Sequence, residues 1–348
     1  MGISAAIFGC SGKTLTNVER EFYTSVQPWG FILFGRNVET PEQVADLVAD
    51  LKSCVEHSDV PVLIDQEGGR VRRLRPPHWA EYHSGAVIGR AYAEIPDRGL
   101  RMAWLQSRLM AFDLSKLGIN VDCLPVLDVP VEGSHDVIGD RAYSMEPAIV
   151  SEIGRAACLG LLDGGVSPVI KHIPGHGRAT SDSHTELPKV SVALEDLRAV
   201  DFQPFKDLAD MPMAMTAHVV YEAIDSDSPA TNSRSVISGI IRDYIGFDGL
   251  LMCDDLSMHA LSGDFSGRAQ TAFAAGCDVV LHCNGNIEEM VEVSESLIDL
   301  SGVSLARAQS AMGRLKQVDK SNEDELRLEF EALCKGETYK VDPTELAS

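Results

Sequence analysis

The chain has 348 residues, of which 45% are hydrophobic and 24% are charged, and its formal net charge at pH 7 is −22. These proportions are typical of a globular protein large enough for one big α/β domain or two smaller ones. The acidic balance argues against nucleic-acid binding, because contact with a polyanion needs a basic face, and no such face is evident in the sequence.

Eight short apolar segments recur along the chain, and we predict that they are β-strands. They lack a clean alternation of apolar and polar residues, which is typical of parallel strands buried on both faces. In chain order they are Ala5–Cys10, Gly30–Phe34, Val60–Ile64, Val121–Val129, Pro168–Ile170, Met213–Thr216, Leu250–Cys253 and Asp278–Cys283.

Helical patterns separate most of these segments. Thr40 and Pro41 supply an N-cap and a first-turn proline, and apolar residues at helical spacing follow them. Further helices are predicted over Arg98–Leu117, Pro147–Leu162, Leu194–Leu208, Ser235–Ile245 and Arg268–Ala275. This alternation predicts a single-domain (β/α)8 barrel of the α/β class. A doubly wound open sheet is the alternative, but no glycine-rich nucleotide turn follows the first strand.

The composition changes near the C-terminus. Lys320–Glu337 is highly charged, with apolar residues at Leu326, Leu328, Phe330 and Leu333. This pattern predicts an amphipathic helix with a frayed end. We therefore expect a barrel over residues 1–318 and a charged helical extension over residues 319–348, which packs on the barrel or lies at a dimer contact.

The cysteines and the N-terminal segment bear on the compartment. None of the eight cysteines forms a Cys-x-x-Cys pair, which argues against a zinc ribbon or a thioredoxin-like site and favours a reducing compartment. The N-terminus shows no secretory signal, and no apolar run is long enough to span a membrane.

Polar residues concentrate at the carboxyl ends of the predicted strands, where a barrel of this kind carries its chemistry. They are Asp65–Arg70 with Arg72 and Arg73 after the third strand, Arg141 after the fourth, Lys171 and His172 after the fifth, His218 after the sixth, and Asp254 and Asp255 after the seventh. The segment from Lys171 to His184 alone holds three of the ten histidines. The concentration of polar residues at the carboxyl ends of the strands predicts that the protein is an enzyme.

Three chemistries suit such a set of residues. Metal-dependent hydrolysis is disfavoured because the chain has no His-x-His pair and its histidines match no zinc-motif spacing. A serine or cysteine nucleophile is disfavoured because no Gly-x-Ser-x-Gly elbow is present and Cys253 has no evident activating base. Glycoside hydrolysis needs one ionised carboxylate and one group that first gives and then takes a proton. Asp254 or Asp255 can be the carboxylate, and His184, oriented by Asp182, can be the proton donor.

The segment from about residue 28 to residue 285 resembles the family 3 glycoside hydrolases, in particular the bacterial β-N-acetylglucosaminidases (β-hexosaminidases) of peptidoglycan recycling. The matching motifs are Ile32–Phe34 with Arg36 and Asn37, Asp65–Val71, Ile138–Tyr143, Lys171–Gly177, Asp182–His184, Ala217–Val219, Gly246–Gly249, Asp254–Met258 and Ala275–Asp278. The Asp-x-His loop is specific to this branch, since the β-glucosidase branches of the family use a carboxylate acid from a second domain.

The resemblance implies a role for each matching residue. Asp254 is the implied nucleophile that forms a covalent glycosyl-enzyme intermediate, and His184 is the implied acid/base with Asp182 as its partner. The implied sugar-binding residues are Asp65, Arg73, Arg141, Lys171, His172 and His218. The implied substrate is N-acetylglucosamine β-1,4-linked to 1,6-anhydro-N-acetylmuramic acid, with or without its peptide, cleaved with retention of configuration.

The resemblance also implies a cytoplasmic enzyme that needs no cofactor and no metal, with a peptidoglycan-derived saccharide as its partner. We expect no nucleic-acid or membrane partner, and a monomer or a weak homodimer. Cys253 departs from the Ser or Thr that the family usually places before the nucleophile, and a thiol is a weaker hydrogen-bond donor than a hydroxyl.

Two alternatives stay open at this point. The same intermediate allows phosphorolysis, because a histidine acid/base would not repel an attacking phosphate as a carboxylate would. A non-catalytic sugar-binding protein on the same barrel is the other alternative. The loop from Gly175 to His184 contains two glycines and several small residues, so we expect it to swing over bound substrate.

Overall fold

A computed structural model describes residues 2–179, 187–316 and 318–335 of the chain. Eight parallel strands close into a barrel in which each strand pairs with the next and the last pairs with the first. They are β1 (Ser4–Gly9), β2 (Pro28–Leu33), β3 (Val62–Ile64), β4 (Val121–Asp122), β5 (Ser167–Ile173), β6 (Met213–Thr216), β7 (Leu250–Asp255) and β8 (Val279–His282). The predicted fold class, a (β/α)8 barrel, is confirmed.

Helices surround the barrel. The α-helices are α1 (Asn17–Val26), α2 (Pro41–Ser53), α3 (Gly85–Glu94), α4 (Pro96–Ser115), α5 (Pro147–Asp163), α6 (Phe265–Ala275), α7 (Ile287–Ser294), α8 (Gly302–Gly313) and α9 (Glu323–Leu333). A broken helical segment after β5 comprises Leu194–Asp196, Leu197–Asp201 and Gln203–Asp207, and a π-helix, Ser235–Tyr244, follows β6. Short 3₁₀ turns occur at Gly35–Asn37, Gly139–Arg141, Ala230–Asn232 and Arg314–Lys316.

The strands are buried on both faces, as the absence of alternation predicted. Every residue of β2, β5 and β6 is buried. Helices cover the outer face of the barrel, and side chains fill its interior, so the polar groups of the site concentrate where the strands end.

Two predicted elements differ from the structure. The predicted strand Val121–Val129 is a strand only at Val121–Asp122, and Pro125, which has no N–H to give to a ladder, lies three residues further on. The predicted helix Leu194–Leu208 is interrupted, and its last part starts at Gln203 with Pro204 in the first turn, where the missing N–H costs nothing.

The last described helix packs on the barrel's outer layer. Its side chains Leu326 and Phe330 are buried, and Arg327 places Nη2 2.8 Å from Oδ1 of Asp113 on α4. Residues 336–348 lie outside the described residues, so the division of the chain at residue 318 stays a prediction. In the described ranges, no helix combines the length and the apolar character that crossing a membrane requires.

A short hairpin follows β3 and carries several candidate site residues. Gln66–Gly68 pairs with Val71–Arg72 in antiparallel fashion. Gly68 has a φ of +86°, and a Cβ there would lie 2.3 Å from the carbonyl oxygen of His83, so only glycine fits. The N–H of Gly69 donates to the carbonyl of Tyr82 at 2.9 Å. The hairpin is therefore fixed against the segment that precedes α3.

Candidate active site

A cavity of about 270 Å³ opens at the carboxyl ends of the strands. Its wall includes six of the predicted site residues, Asp65, Arg73, Arg141, Lys171, His172 and Asp254. It also includes Glu67, His176 and Asp255. The structure therefore brings together groups from the carboxyl ends of four different strands, β3, β4, β5 and β7.

Lys171 lies between two carboxylates. Its Nζ is 2.8 Å from Oδ1 of Asp65 and 2.6 Å from Oε1 of Glu67, and its side chain is 2% exposed. Nη2 of Arg73 lies 3.0 Å from the other oxygen of Asp65. Both oxygens of Asp65 thus accept from fixed cations, and a ligand hydroxyl that reaches Asp65 meets an oriented carboxylate.

Arg141 forms a bidentate ion pair with Glu67. Its Nε and Nη2 each lie 2.9 Å from one carboxylate oxygen of Glu67. This bidentate arrangement is the strong form of an arginine–carboxylate pair. We call Asp65, Glu67, Arg73, Arg141 and Lys171 the charged network.

Burial and pairing set the charge of this network. Burial alone would raise the pKa of Asp65 and Glu67, but Lys171 and Arg73 hold the pKa of Asp65 well below its usual range. Against the same effect of burial, Arg141 and Lys171 lower the pKa of Glu67 to about 2. Burial would lower the pKa of Lys171, yet the two carboxylates raise it. All these groups are therefore charged at neutral pH.

Asp128, which was not among the predicted site residues, orients two histidines. Its Oδ2 lies 2.7 Å from Nδ1 of His172, and its Oδ1 accepts the backbone N–H groups of His172 at 3.2 Å and of His176 at 2.6 Å. Burial would raise the pKa of Asp128, but His172 lowers it to about 2. An ionised carboxylate only accepts, so Nδ1 of His172 carries the proton.

His176 stands next to His172, with ring centroids 5.7 Å apart. Its side chain is buried, and burial together with the neighbouring His172 lowers its pKa to about 4. Its Nδ1 has no hydrogen-bond partner among the residues that the structure describes. His176 is therefore a neutral ring in the cavity wall at neutral pH.

The two aspartates that end β7 have different surroundings. Oδ1 of Asp255 accepts the N–H groups of Ser257 and Cys283 at 3.0 Å each, and its Oδ2 accepts the Ser257 hydroxyl at 2.5 Å. Oδ1 of Asp254 accepts the N–H of Asp255 at 2.8 Å. Asp255 is thus bonded to the loops around β7 and β8, and both aspartates line the cavity.

Cys253, the departure from the family pattern, turns away from the cavity. It is fully buried, and its Sγ accepts the backbone N–H of Leu281 on β8 at 3.1 Å. Burial raises the pKa of this thiol well above its ordinary value. The thiol therefore acts as a packed side chain that bridges β7 and β8. The described residues include all eight cysteines, and none of them is in a disulfide.

His218 lies behind the cavity wall. It is fully buried, with Nδ1 2.7 Å from the hydroxyl of Thr231 and Nε2 3.1 Å from the backbone carbonyl of Asp255. Burial lowers its pKa. Its contacts hold the end of β7, directly beyond the predicted nucleophile, and they do not include the cavity.

The predicted acid/base His184 and its partner Asp182 lie outside the described residues. The described start of their loop is well anchored: the hydroxyl of Tyr221 donates to the carbonyl of Gly175 at 2.6 Å, and Nε of Arg178 lies 2.6 Å from Oδ2 of Asp201. Ala179, which was expected to pack little, is 1% exposed. The predicted swing of the loop stays a prediction.

Within the described ranges, no group of three His, Cys, Asp or Glu side chains converges in a way that could hold a metal ion. The charged groups of the cavity pair with each other, so the wall presents fixed hydrogen-bonding groups to a ligand.

Comparisons with known proteins agree on one family. Residues 12–318 match the model of the glycosyl hydrolase family 3 N-terminal domain. The chain is 36% identical over 318 residues to a beta-hexosaminidase of Alkalilimnicola ehrlichii, covering 90% of each chain. It is 38% identical to a beta-hexosaminidase of Methylococcus capsulatus, covering 80% of this chain and 82% of that one. A crystal structure of NagZ from Neisseria gonorrhoeae in complex with N-trifluoroacetyl-D-glucosamine is similar with a TM-score of 0.86, 29% identity and coverage of 96% and 98%.

Proposed function

The chain belongs to glycoside hydrolase family 3 and is a β-hexosaminidase, and we propose that it is a retaining exo-β-N-acetylglucosaminidase of peptidoglycan recycling. Its substrates would be fragments with terminal non-reducing N-acetylglucosamine linked to 1,6-anhydro-N-acetylmuramic acid, with or without peptide. We place this reaction in the cytoplasm. The similarity to beta-hexosaminidases and to the Neisseria protein in complex with an N-acylated glucosamine supports the choice of sugar.

The observation that carries the proposal is the carboxylate of Asp254 in the wall of a cavity lined by fixed polar groups. In the proposed mechanism Asp254 attacks the anomeric carbon and forms a glycosyl ester while the bond to the leaving oxygen breaks. His184, supported by Asp182, gives that oxygen a proton and then takes one from the water that cleaves the ester.

We propose that the charged network binds the sugar hydroxyls. Asp65 would accept from neighbouring hydroxyls, while Lys171 and Arg73 would donate to the same oxygens. Arg141 reaches the cavity through its fixed pair with Glu67. Because Nδ1 of His172 is bonded to Asp128, a neutral His172 would offer Nε2 as an acceptor.

His218 receives a different role in this proposal. Its contacts with Thr231 and with the carbonyl of Asp255 suit a residue that supports the end of β7. We therefore assign His218 to the support of the strand that carries the nucleophile and not to direct sugar contact, because its fully buried ring does not line the cavity.

The proposal is tested with 4-nitrophenyl N-acetyl-β-glucosaminide and the matching β-glucoside as control. The wild type is expected to release nitrophenol from the N-acetyl sugar alone, and Asp254→Asn to lower kcat by at least about a thousandfold, because the amide cannot form the ester. Proton NMR of the first product should show the β-anomer. A wild type silent on both sugars, or a first product with the α-configuration, would contradict the proposal.

A further inference from the structure

Helix α9 contacts a segment of the chain that in turn fixes part of the cavity wall. The ring centroid of Phe330 on α9 lies 6.4 Å from that of Tyr82 and 5.9 Å from that of His83. Phe330 is 7% exposed and Tyr82 is 2% exposed, so this contact is buried. We call Tyr82, His83 and Ser84 the bracing segment. A change in α9 therefore reaches the bracing segment directly.

Arg327 on α9 joins the same helix to Tyr82 through polar contacts. The hydroxyl of Tyr82 donates to Oδ2 of Asp113 on α4 at 2.6 Å, and Nη2 of Arg327 lies 2.8 Å from the other oxygen of that carboxylate. Nη1 of Arg327 also donates to the Tyr82 hydroxyl at 3.4 Å. Charge-assisted bonds of this kind fix orientation as well as distance. They hold the Tyr82 ring by its hydroxyl, while Phe330 packs beside it.

The bracing segment is bonded to the turn of the hairpin that follows β3. The carbonyl of Tyr82 accepts the N–H of Gly69 at 2.9 Å, and a Cβ on Gly69 would lie 2.6 Å from Cβ of Ser84. The side-chain amide of Gln106 on α4 accepts the N–H of His83 at 2.8 Å and donates to its carbonyl at 2.9 Å. The turn is therefore both bonded to the bracing segment and in close contact with it.

The residue before this turn is Glu67, a member of the charged network. Its carboxylate lies 2.6 Å from Nζ of Lys171 and accepts two bonds of 2.9 Å from Arg141. The strength of these bonds depends on distance and angle. A small displacement of the turn would therefore weaken several contacts of the network at once.

We propose that Phe330 and Arg327 are positioning residues for sugar binding, which act through the bracing segment and Glu67. This inference rests on the proposed function, in which the charged network binds the sugar hydroxyls. Neither Phe330 nor Arg327 lines the cavity, so any effect on the sugar passes through packed contacts and hydrogen bonds that connect α9 to the network. The contacts end on groups that bind the sugar and not on Asp254, so KM should change more than kcat.

The test compares kcat and KM for 4-nitrophenyl N-acetyl-β-glucosaminide in full-length variants, at a temperature below the onset of unfolding of every variant. Phe330→Ala removes the buried ring, and Phe330→Leu keeps a large apolar side chain at the same place. Arg327→Gln removes the charge that pairs with Asp113. It is the milder change, and it decides the question if Phe330→Ala does not fold.

Two control variants separate this effect from a general loss of stability. Met312 on α8 is also 7% exposed, and α8 is bonded through Arg307 to Asp248 and Asp278, which precede β7 and β8 at the end of the barrel opposite the cavity. Met312→Ala therefore removes a buried side chain far from the bracing segment. Arg101→Gln removes an ion pair between α4 and α9, in which Nη2 lies 2.7 Å from Oε2 of Glu329, and this pair joins the two helices through other atoms.

Phe330→Ala is expected to raise KM by about fivefold to tenfold and to leave kcat within about twofold of the wild type. Arg327→Gln should raise KM by about threefold, since a partly exposed ion pair contributes less. Phe330→Leu should keep KM within about twofold, because it retains apolar packing at the contact. Met312→Ala and Arg101→Gln should also keep KM within about twofold, although Met312→Ala lowers the Tm.

Amide hydrogen exchange tests the same contacts without a substrate. A peptide that contains Gly69 should exchange at least about threefold faster in Phe330→Ala than in the wild type, and at the wild-type rate in Met312→Ala. Unchanged KM in Phe330→Ala and Arg327→Gln, or an equal rise in Met312→Ala, would overturn the inference and leave the proposed function standing. A wild type without activity would contradict the proposed function, and the exchange rates alone would then decide whether α9 positions the hairpin.

Discussion

The charged network adjoins an open cleft of about 740 Å³, here called the arginine cleft because its wall carries Arg36, Arg72, Arg73 and Arg75. The two spaces hold their cations differently. In the network, Lys171 and Arg141 are buried against Asp65 and Glu67 at 2.6 to 2.9 Å. In the cleft, Arg36 is exposed and its hydrogen bonds go to backbone carbonyls. Arg73 lines both spaces.

This difference has a physical consequence for the proposed binding of a sugar. A neutral sugar gains from oriented donors and acceptors, and charges that are already paired do not have to be neutralised when it binds. In the cleft, Arg72 pairs with Glu81 and Arg73 pairs with Asp65. The boundary at Phe34 therefore separates an enclosed space lined by buried, paired charges from an open cleft whose charges are nearer to solvent.

The largest expected effect comes from breaking the network at Lys171. Lys171→Met would leave Asp65 and Glu67 buried with less compensating charge, and the free energy of unfolding should fall by about 3 to 5 kcal/mol. Urea unfolding measures this change. The exposed Lys189 supplies the control, and Lys189→Met should shift the free energy of unfolding by less than about 0.5 kcal/mol. Similar stability of Lys171→Met and the wild type would show that the network is not held by its charges.

A smaller effect is expected when the charge of Asp128 is removed at constant shape. Asp128→Asn should lower kcat/KM for the 4-nitrophenyl substrate by about ten- to a hundredfold, because charge-assisted bonds to His172 and His176 contribute about 1.5 to 3 kcal/mol. Burial and His172 lower the pKa of His176 while Asp128 raises it, so the pH profile of kcat/KM should shift when the charge of Asp128 is removed. An unchanged profile with merely lower thermal stability would reduce Asp128 to a structural residue.

The fold was predictable because its signals are local. Each of the eight strands coincides with an apolar run, and most of the polar clusters follow a run directly; Arg141, on a loop after the fourth run, is the exception. Helix α1 was missed although Thr16 and Glu19 form a capping box, with Oε2 of Glu19 accepting the N–H of Thr16 at 2.9 Å. The sequence Thr-x-x-Glu was therefore a usable signal.

The site was only partly predictable because its pairs are distant in sequence. Glu67 was visible within the Asp65–Arg70 motif, but its bidentate partner Arg141 is 74 positions away. Asp128 was hidden inside a run read as one strand from Val121 to Val129. A buried carboxylate in an apolar run has no local signature that distinguishes an orienting residue from the end of a strand. His218 is the converse case: it follows a strand, as the other predicted site residues do, but its side chain does not line the cavity.

The smallest effect is expected on acidification, to which the cavity and the arginine cleft should respond differently. Arginines stay charged at every pH of interest, so the arginine cleft should not titrate. His176, beside the network, has its pKa lowered to about 4 by burial and by His172. Because the folded protein holds this ring neutral, His176 contributes stability that is fully present above its ordinary pKa of about 6.5 and is lost as the pH falls towards 4.

The predicted loss between pH 6.5 and pH 4 is about 2 kcal/mol in the free energy of unfolding. Asp201 works in the opposite direction, since burial raises its pKa to about 6 and protonation then favours the folded state. The measurement is therefore the difference between the wild type and His176→Gln in urea unfolding across this pH range. The variant should lose the His176 component and keep that of Asp201, so that the wild type loses more stability on acidification. Parallel curves would mean that His176 is protonated as readily in the folded chain as in the unfolded chain, and that the cavity wall does not exclude a charge at this position.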